Sequence, residues 1–182
     1  CGAKIASLYR RRKHEILTEK LDLNLEIDKK VNELTNKSYV KLFNLNLLEV
    51  KNTVEYFYKQ KIHTSHVPTD LAFHNKLISV DEFLSTEGPN YNYGSFDIGT
   101  SLNSNVVKKI CSMEKIWSIA RKYLQSDEVK IYSINTMLTK KSEIKNYVVK
   151  LHVDFDCANM LTFFVYWTDV SEINGATRVL PG

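Results

Sequence analysis

The fold is decided by Tyr147-Val148-Val149-Lys150-Leu151-His152-Val153-Asp154. The β-branched residues in this stretch favour a β-strand, and successive side chains of a strand point to opposite faces of the sheet. Alternation therefore predicts that Lys150, His152 and Asp154 share one face, while apolar residues occupy the other. Burial of such polar groups is unfavourable unless they meet a ligand, a metal or each other.

The spacing His152-x-Asp154 suggests a metal site at the end of this strand. An imidazole nitrogen and a carboxylate oxygen on one side of a divalent ion form two corners of the 2-His-1-carboxylate triad of non-haem iron sites. The third corner, a distant histidine, is not supplied by these residues. His152 and Asp154 are the candidate metal ligands and the candidate catalytic residues.

The region around this motif predicts consecutive antiparallel strands. From residue 128 onward the period of the apolar residues is two, which predicts strands over residues 129–138, 147–154 and 160–168. A short fourth strand is predicted over residues 176–180. Asn174-Gly175 supplies the positive φ angles that a tight turn before this strand requires.

The first part of the chain predicts helices and a long connection. A basic helix comes first, followed by a short strand over residues 39–43 and a helix whose core face is formed by Leu47, Val50, Val54, Phe57 and Tyr58. Residues 63–104 show no sustained period and are predicted to be irregular. A further helix is predicted over residues 105–124, with a buried set of Val106, Val107, Ile110, Ile116, Trp117, Ala120, Tyr123 and Leu124.

Helices first and strands last indicate an α+β fold with a mainly β core, and 182 residues with 43% hydrophobic content can bury one substantial core. We therefore expect a single domain over residues 1–182. Its residues 1–127 would be mostly helix and loop, and residues 128–182 would hold the first strands of the core.

Composition narrows the possible partners. No run approaches the roughly 18 to 20 apolar residues that span a bilayer.

Three cysteines without a paired spacing fit a reducing compartment, so a cytoplasmic location is expected. The net charge of +4 comes largely from the basic run at residues 10–13. This run lacks interleaved aromatic residues, so a solvated helix face is favoured over a nucleic-acid site.

The second half of the chain resembles the phytanoyl-CoA dioxygenase family of Fe(II)- and 2-oxoglutarate-dependent oxygenases. In this sequence His152-x-Asp154 is followed by Thr168-Asp169, by Asn174-Gly175 and by a final Val179-Leu180-Pro181-Gly182. The order and spacing of these motifs are much more specific than a lone His-x-Asp. Residues 117–124, 133–136 and 164–170 also resemble the family, and residues 34–42 are weakly similar to its opening segment.

The resemblance implies a double-stranded β-helix, which is a jelly-roll or cupin-like barrel, with flanking N-terminal helices. It implies Fe(II) at His152 and Asp154, 2-oxoglutarate as cosubstrate, O2, and hydroxylation of a small-molecule or acyl/biosynthetic intermediate. Asn135 and Thr162, on the strands before and after the metal strand, are candidate 2-oxoglutarate contacts. For each of them, the alternative role is pairing with neighbouring backbone or exposure to solvent.

In the family the Pro-Gly is followed by the third ligand, a histidine, and later by an arginine that pairs with 2-oxoglutarate. This sequence ends at Gly182, so we expect the natural chain to continue past this residue. The alternative is a noncatalytic jelly-roll binding module, or a degenerate relative with an incomplete metal site.

Residues 63–104 raise two further hypotheses. The aromatic residues Tyr91, Tyr93 and Phe96, near Gly94, are a candidate lid over the substrate, with ordinary packing as the alternative. His63 and His66 have a spacing that two zinc ligands could use, but without a cysteine pair or a further clustered histidine a role on the surface or in a substrate loop is favoured.

Overall fold

The computed structural model describes residues 22–64, 76–87, 93–140, 159–171, 177 and 179. The chain divides into two compact units. Unit 1 comprises Cys1–Phe43, Glu114–Val129 and Arg178–Gly182, and unit 2 comprises Asn44–Met113 and Lys130–Thr177. The single domain expected over residues 1–182 stays a prediction.

The described residues combine helices with short strands. In chain order the elements are α1 (residues 22–37), α2 (Leu47–Tyr58), β1 (Lys61–His63), β2 (Leu77–Ser79), α3 (Val80–Ser85), β3 (Tyr93–Phe96), α4 (Ile98–Asn103), α5 (Asn105–Cys111), α6 (Glu114–Leu124) and β4 (Thr136–Thr139). No helix in this described part is both long and apolar enough to cross a membrane.

Unit 1 is built around α1 and α6. Its described core is small: Ile27 and Leu34 are buried on α1, and Ile119 and Ala120 are buried on α6. The spacing of seven residues between Ile27 and Leu34 places both on one helix face.

Two ion pairs join α1 to α6 at the edge of this small core. The ammonium group of Lys115 lies 2.5 Å from a carboxylate oxygen of Glu26, and Lys122 pairs with Asp28. The hydrogen bond and the charge of Lys115 hold the pKa of the Glu26 carboxyl below its usual value.

The described helices of unit 1, α1 and α6, are each followed by a non-glycine residue with left-handed backbone. Ser38 follows α1 with a φ of 64°, and Gln125 follows α6 with a φ of 52°. After α6 the amide of Ser126 donates to the carbonyl of Arg121 at 3.1 Å, a bond that closes the helix end in the manner of a Schellman motif. Glycine usually occupies such positions because a Cβ atom is disfavoured there.

Unit 2 contains a four-stranded antiparallel sheet with the order β2-β1-β3-β4. A row of directly opposite residues fixes the register across the sheet. His63 lies opposite Leu77 on one side and opposite Ser95 on the other, and Ser95 in turn lies opposite Met137.

One face of this sheet packs on helices to form the main core of unit 2. The strands contribute Ile62, Ile78 and Phe96, and the helices contribute Phe57, Val80, Phe83 and Val107. The rings of Phe57 and Phe96 lie 4.8 Å apart between centroids. Burial of several such side chains is the dominant stabilising contribution in a unit of this size.

Gly94 lies in the middle of β3 and faces this core. A Cβ atom at this position would lie 2.6 Å from Cδ1 and 2.9 Å from Cγ1 of Ile62, and 3.1 Å from Cε2 of Phe83. Because Ile62 and Phe83 are fully buried, they have little room to move away. Glycine is therefore needed here for close packing of the sheet against α3.

The helix predicted from Leu47, Val54 and Phe57 is confirmed as α2. Asn46 caps its start, since the Asn46 side chain accepts a hydrogen bond from the amide of Leu48 at 2.8 Å. The predicted core face is wrong in part, because Leu47 is 86% exposed, whereas Thr53 is buried with Phe57.

The prediction that residues 63–104 form an irregular connection is wrong for their described part. This range contains β2, α3, β3 and α4. The strands have only three or four residues, which is too short for an alternating pattern to be recognised in the sequence. The strand predicted over residues 39–43 is also wrong, since residues 39–46 lie outside helices and strands.

The single helix predicted over residues 105–124 is two helices, α5 and α6, separated at Ser112 and Met113. The Ser112 hydroxyl donates to the carbonyl of Lys109 at 2.9 Å, a local bond of the kind that competes with helix continuation. Val107, Ile110 and Ala120 of the predicted set are buried, and the buried Ile119 was missed.

Among the predicted strands, residues 129–138 form a strand only at the end, where β4 begins at Thr136. No strand is assigned to residues 160–168, contrary to the prediction. Residues 147–154 and the Asn174-Gly175 turn lie outside the described residues. The double-stranded β-helix therefore stays a prediction, and the described fold is a mixed one with an antiparallel sheet.

Candidate functional site

The two predicted metal ligands, His152 and Asp154, lie outside the described residues. The two candidate 2-oxoglutarate contacts, Asn135 and Thr162, lie within them, and both side chains are exposed. Neither side chain takes part in a hydrogen bond within the part of the chain that the structure describes. Both are therefore accessible to a ligand.

Asn135 immediately precedes β4 and lies between two inward-facing neighbours. Ile134 is half-buried and packs against the core of unit 2, and Thr136 is buried. Because side chains alternate along an extended chain, this arrangement directs Asn135 away from the core. Its carboxamide offers two donors and one acceptor to a ligand that approaches from the solvent side.

A buried hydroxyl pair holds the chain next to Asn135. The Ser101 hydroxyl donates to the hydroxyl oxygen of Thr136 at 2.9 Å. Ser101 is fully buried and Thr136 is 7% exposed. This bond joins α4 to the start of β4.

The beginning of α4 is fixed by Asp97. The Asp97 carboxylate accepts two hydrogen bonds from Thr100, one from the amide at 2.7 Å and one from the hydroxyl at 2.6 Å. The hydroxyl bond is the largest cause that lowers the pKa of Asp97, and the amide bond and the nearby His63 act in the same direction. In addition, the Tyr56 hydroxyl donates to the carbonyl of Thr100 at 2.8 Å.

Lys140 anchors the other end of β4. Its ammonium group donates to the carbonyls of Phe83 at 2.6 Å and Thr86 at 2.5 Å, and lies 4.8 Å from the centroid of the Phe83 ring. Burial lowers the pKa of Lys140, while the charge of Glu87 acts in the opposite direction. Lys140 thus supplies donors to carbonyl groups at the end of α3 that the short helix leaves unpaired.

Thr162, unlike Asn135, does not lie next to an assigned strand. It lies in residues 159–171, to which no helix or strand is assigned, beside the exposed Phe163 and Phe164. Tyr166 in this segment donates a hydrogen bond to the Thr177 hydroxyl at 2.7 Å, and Trp167 packs against the core of unit 2.

No group of three or more His, Cys, Asp or Glu residues that could hold a metal ion occurs among the described residues. His63 ends β1, and His66 lies outside the described residues, so a zinc site at these two histidines receives no support. The chemistry of the donors His152 and Asp154 fits a divalent first-row metal, because imidazole and carboxylate together form open iron sites.

The hypothesis of a lid at Tyr93, Gly94 and Phe96 is wrong. These residues form β3, an inner strand of the sheet, and Phe96 belongs to the core. Tyr91 lies outside the described residues. Phe96 therefore serves ordinary packing, which was the alternative interpretation, whereas Tyr93 is half-buried and alternates to the other face of β3.

Sequence reasoning missed the two anchors of β4. The partners Ser101 and Thr136 are 35 residues apart in the chain, and Lys140 is 57 residues from Phe83. No local pattern marks a Ser, Thr or Lys for contacts at such separations.

No protein-family model matches this sequence, and neither a curated protein nor a solved structure matches it. The resemblance to the phytanoyl-CoA dioxygenase family therefore depends on the motifs of the sequence alone.

Proposed function

We propose that this chain belongs to an Fe(II)- and 2-oxoglutarate-dependent dioxygenase that hydroxylates a small-molecule or acyl/biosynthetic intermediate. One observation carries the proposal: His152-x-Asp154 at the end of a predicted strand is followed by Thr168-Asp169, Asn174-Gly175 and Val179-Leu180-Pro181-Gly182.

In this proposal His152 and Asp154 hold the metal through an imidazole nitrogen and a carboxylate oxygen. The proposal requires a third ligand, which the resemblance expects to be a histidine shortly after the Pro-Gly. When bound, Fe(II) and 2-oxoglutarate supply the oxidising chemistry with O2, and the protein binds and orients the reactants. A carboxylate at position 154 favours hydroxylation over halogenation, because a halogenase leaves this position open for chloride.

Asn135 is the preferred cosubstrate contact in the proposal. Its exposed carboxamide can donate to a carboxylate of 2-oxoglutarate, and its backbone is held between the inward-facing Ile134 and Thr136. Thr162 is kept as a second contact, with a hydroxyl that can donate or accept.

The proposal is tested by spectroscopy on the natural full-length chain. Anaerobic addition of Fe(II) and 2-oxoglutarate should produce a weak visible charge-transfer band. His152→Ala and Asp154→Ala should each abolish this band, because two ligands remain at most and such a site holds iron loosely.

Two matched variants control for nonspecific effects. Asp127→Ala removes an exposed carboxylate of unit 1, and His14→Ala removes a histidine of the predicted basic helix. Both should keep the band. A natural chain without the band, or a band that survives both ligand substitutions, would contradict the proposal and favour the noncatalytic binding module.

A further inference from the structure

We propose that Ser101 is a positioning residue for 2-oxoglutarate binding, acting through Thr136 on Asn135. The inference rests on the proposed function, since it assigns a role in binding the cosubstrate. Ser101 itself is fully buried and has no access to a ligand. Its effect is to fix the backbone from which the Asn135 side chain projects.

The first argument is that Asn135 has no hydrogen bond of its own among the described residues. Its orientation therefore depends on the chain on either side. On one side Ile134 packs against the core through apolar contacts, which are not directional. On the other side Thr136 accepts the hydrogen bond from Ser101, which is directional.

The second argument is that Ser101 is itself rigidly placed. It follows Thr100, whose amide and hydroxyl are bound by Asp97 and whose carbonyl accepts the hydrogen bond from Tyr56. These contacts fix the start of α4 to its own cap and to α2. A hydroxyl held in this way transmits a defined position to Thr136 and from there to Asn135.

The consequence is preorganisation of the carboxamide. A side chain that is already oriented loses little conformational freedom when the ligand binds. A substitution that removes this orientation therefore weakens binding, even though every atom that touches the ligand remains. In metal sites, loss of a supporting contact of this kind changes metal affinity or activity by about 10- to 100-fold. We expect the lower end of this range, about tenfold, because Asn135 is one of several contacts to 2-oxoglutarate.

The test measures 2-oxoglutarate affinity from the charge-transfer band of the Fe(II)-loaded full-length chain under anaerobic conditions. Thr136→Val keeps the shape of the side chain and removes the hydroxyl, and it should raise the Kd for 2-oxoglutarate about tenfold. Thr136→Ser keeps the hydroxyl and should restore most of the affinity.

Thr53→Val is the matched control. The Thr53 hydroxyl, also buried in unit 2, donates to the carbonyl of Glu49 at 2.7 Å within α2. The variant loses a buried hydroxyl of the same kind but should leave the Kd unchanged. A similar rise in Kd for Thr53→Val and Thr136→Val would overturn the inference, because it would show a general effect of destabilisation.

A double-substitution cycle with Asn135→Ala completes the test. If Thr136 acts through Asn135, Thr136→Val should have little further effect on the Kd when Asn135 is already alanine. Equal effects in the two backgrounds would overturn the inference. Should Thr136→Val fail to fold, Ser101→Ala takes its place in the cycle with the same expected outcome.

The design separates this inference from the proposed function. The positioning role alone would be contradicted if His152→Ala abolished the band while Thr136→Val had the same Kd for 2-oxoglutarate as wild type. If the wild-type chain gave no band, both the positioning role and the proposed function would be contradicted.

Discussion

The two units of this protein are stabilised in different ways. In the described part of unit 2, seven apolar side chains form one core between a sheet and helices, and the buried hydroxyls of Ser101 and Thr136 form a hydrogen bond with each other. The described part of unit 1 buries four apolar residues and relies in addition on exposed ion pairs between α1 and α6. A surface ion pair contributes little to the free energy of unfolding. We therefore expect substitutions in the core of unit 2 to have large effects. Because the described core of unit 1 is small, we expect surface charge to account for a larger share of the stability of unit 1 than of unit 2.

The largest effect is expected from Phe83→Ala in unit 2. Phe83 is fully buried, and its ring also lies beneath the ammonium group of Lys140. We expect a loss of about 3–5 kcal/mol in the free energy of unfolding. Leu84→Ala, at a neighbouring side chain that is 38% exposed, is the control and should have a much smaller effect.

The two tryptophans of the chain allow each unit to be followed separately. Trp117 lies on α6 in unit 1, and Trp167 packs against the core of unit 2. Chemical unfolding of variants that keep only one tryptophan should show the Phe83→Ala loss in the Trp167 signal. An equal loss in the Trp117 signal would show that the units unfold together and would remove the basis for the comparison.

An intermediate effect is expected from Asp97→Ala, which removes the cap of α4. Loss of such a cap lowers stability by about 1 kcal/mol. The difference in free energy of unfolding between wild type and Asp97→Ala should also depend on pH. Because the folded pKa of Asp97 lies below the unfolded value of about 3.9, its stabilisation is fully present above that value. It is lost as the pH falls through the still lower folded pKa.

This prediction is checked by urea unfolding of wild type and Asp97→Ala from neutral pH down to the acid limit of folding. The two curves should converge as the pH falls below about 3.9. Asp127→Ala, at an exposed aspartate of unit 1, should run parallel to wild type. A gap for Asp97→Ala that is constant over the whole range would contradict the assignment of its charged form to the cap.

In unit 1, Gln125→Gly should increase stability by about 0.5–1 kcal/mol. The left-handed backbone of Gln125 is disfavoured by its Cβ atom, and glycine removes this strain. Lys59→Gly is the control, since Lys59 ends α2 with ordinary right-handed backbone at a φ of −84°. Thermal unfolding should show an increase for Gln125→Gly and a decrease for Lys59→Gly, and a decrease in both would refute the strain.

The smallest effect is expected from Lys122→Met, which removes the ion pair with Asp28. Exposed pairs contribute about 0.2–1 kcal/mol and are weakened by salt. The difference in melting temperature between wild type and variant should therefore shrink at high salt. Lys29→Met, at an exposed lysine of α1, should show no such dependence, and a Lys122→Met difference that salt leaves unchanged would argue for a packing role.

Only some of the helices could be predicted, since α3 and α4 lie in the range that was expected to be irregular. α2 and parts of α5 and α6 follow from the apolar spacing of Leu47, Val54 and Phe57 and of Val107, Ile110 and Ala120, because a helix of two or three turns repeats its period within one segment. The break at Ser112 and Met113 could not be predicted, since serine is compatible both with a continued and with an interrupted helix.

The candidate site divides in the same way. His152 and Asp154 are predicted ligands because their residue types and their spacing of two positions suggest a metal site, and this assignment stays a prediction. The placement of Asn135 on the exposed side of the chain depends on the neighbours Ile134 and Thr136, and the residue that holds Thr136 lies far away in the sequence.

By itself, the sequence determined the elements whose signals are local: the helical periods, and the His-x-Asp spacing with its following motifs. Only the tertiary structure decided the short strands β1 to β4, the need for glycine at position 94, and the anchors of β4 at Ser101 and Lys140. The physical reason is that a strand of three or four residues is stabilised by its partners. For β4 those partners lie in distant segments, so the residues of the strand and its sequence neighbours do not specify it by themselves.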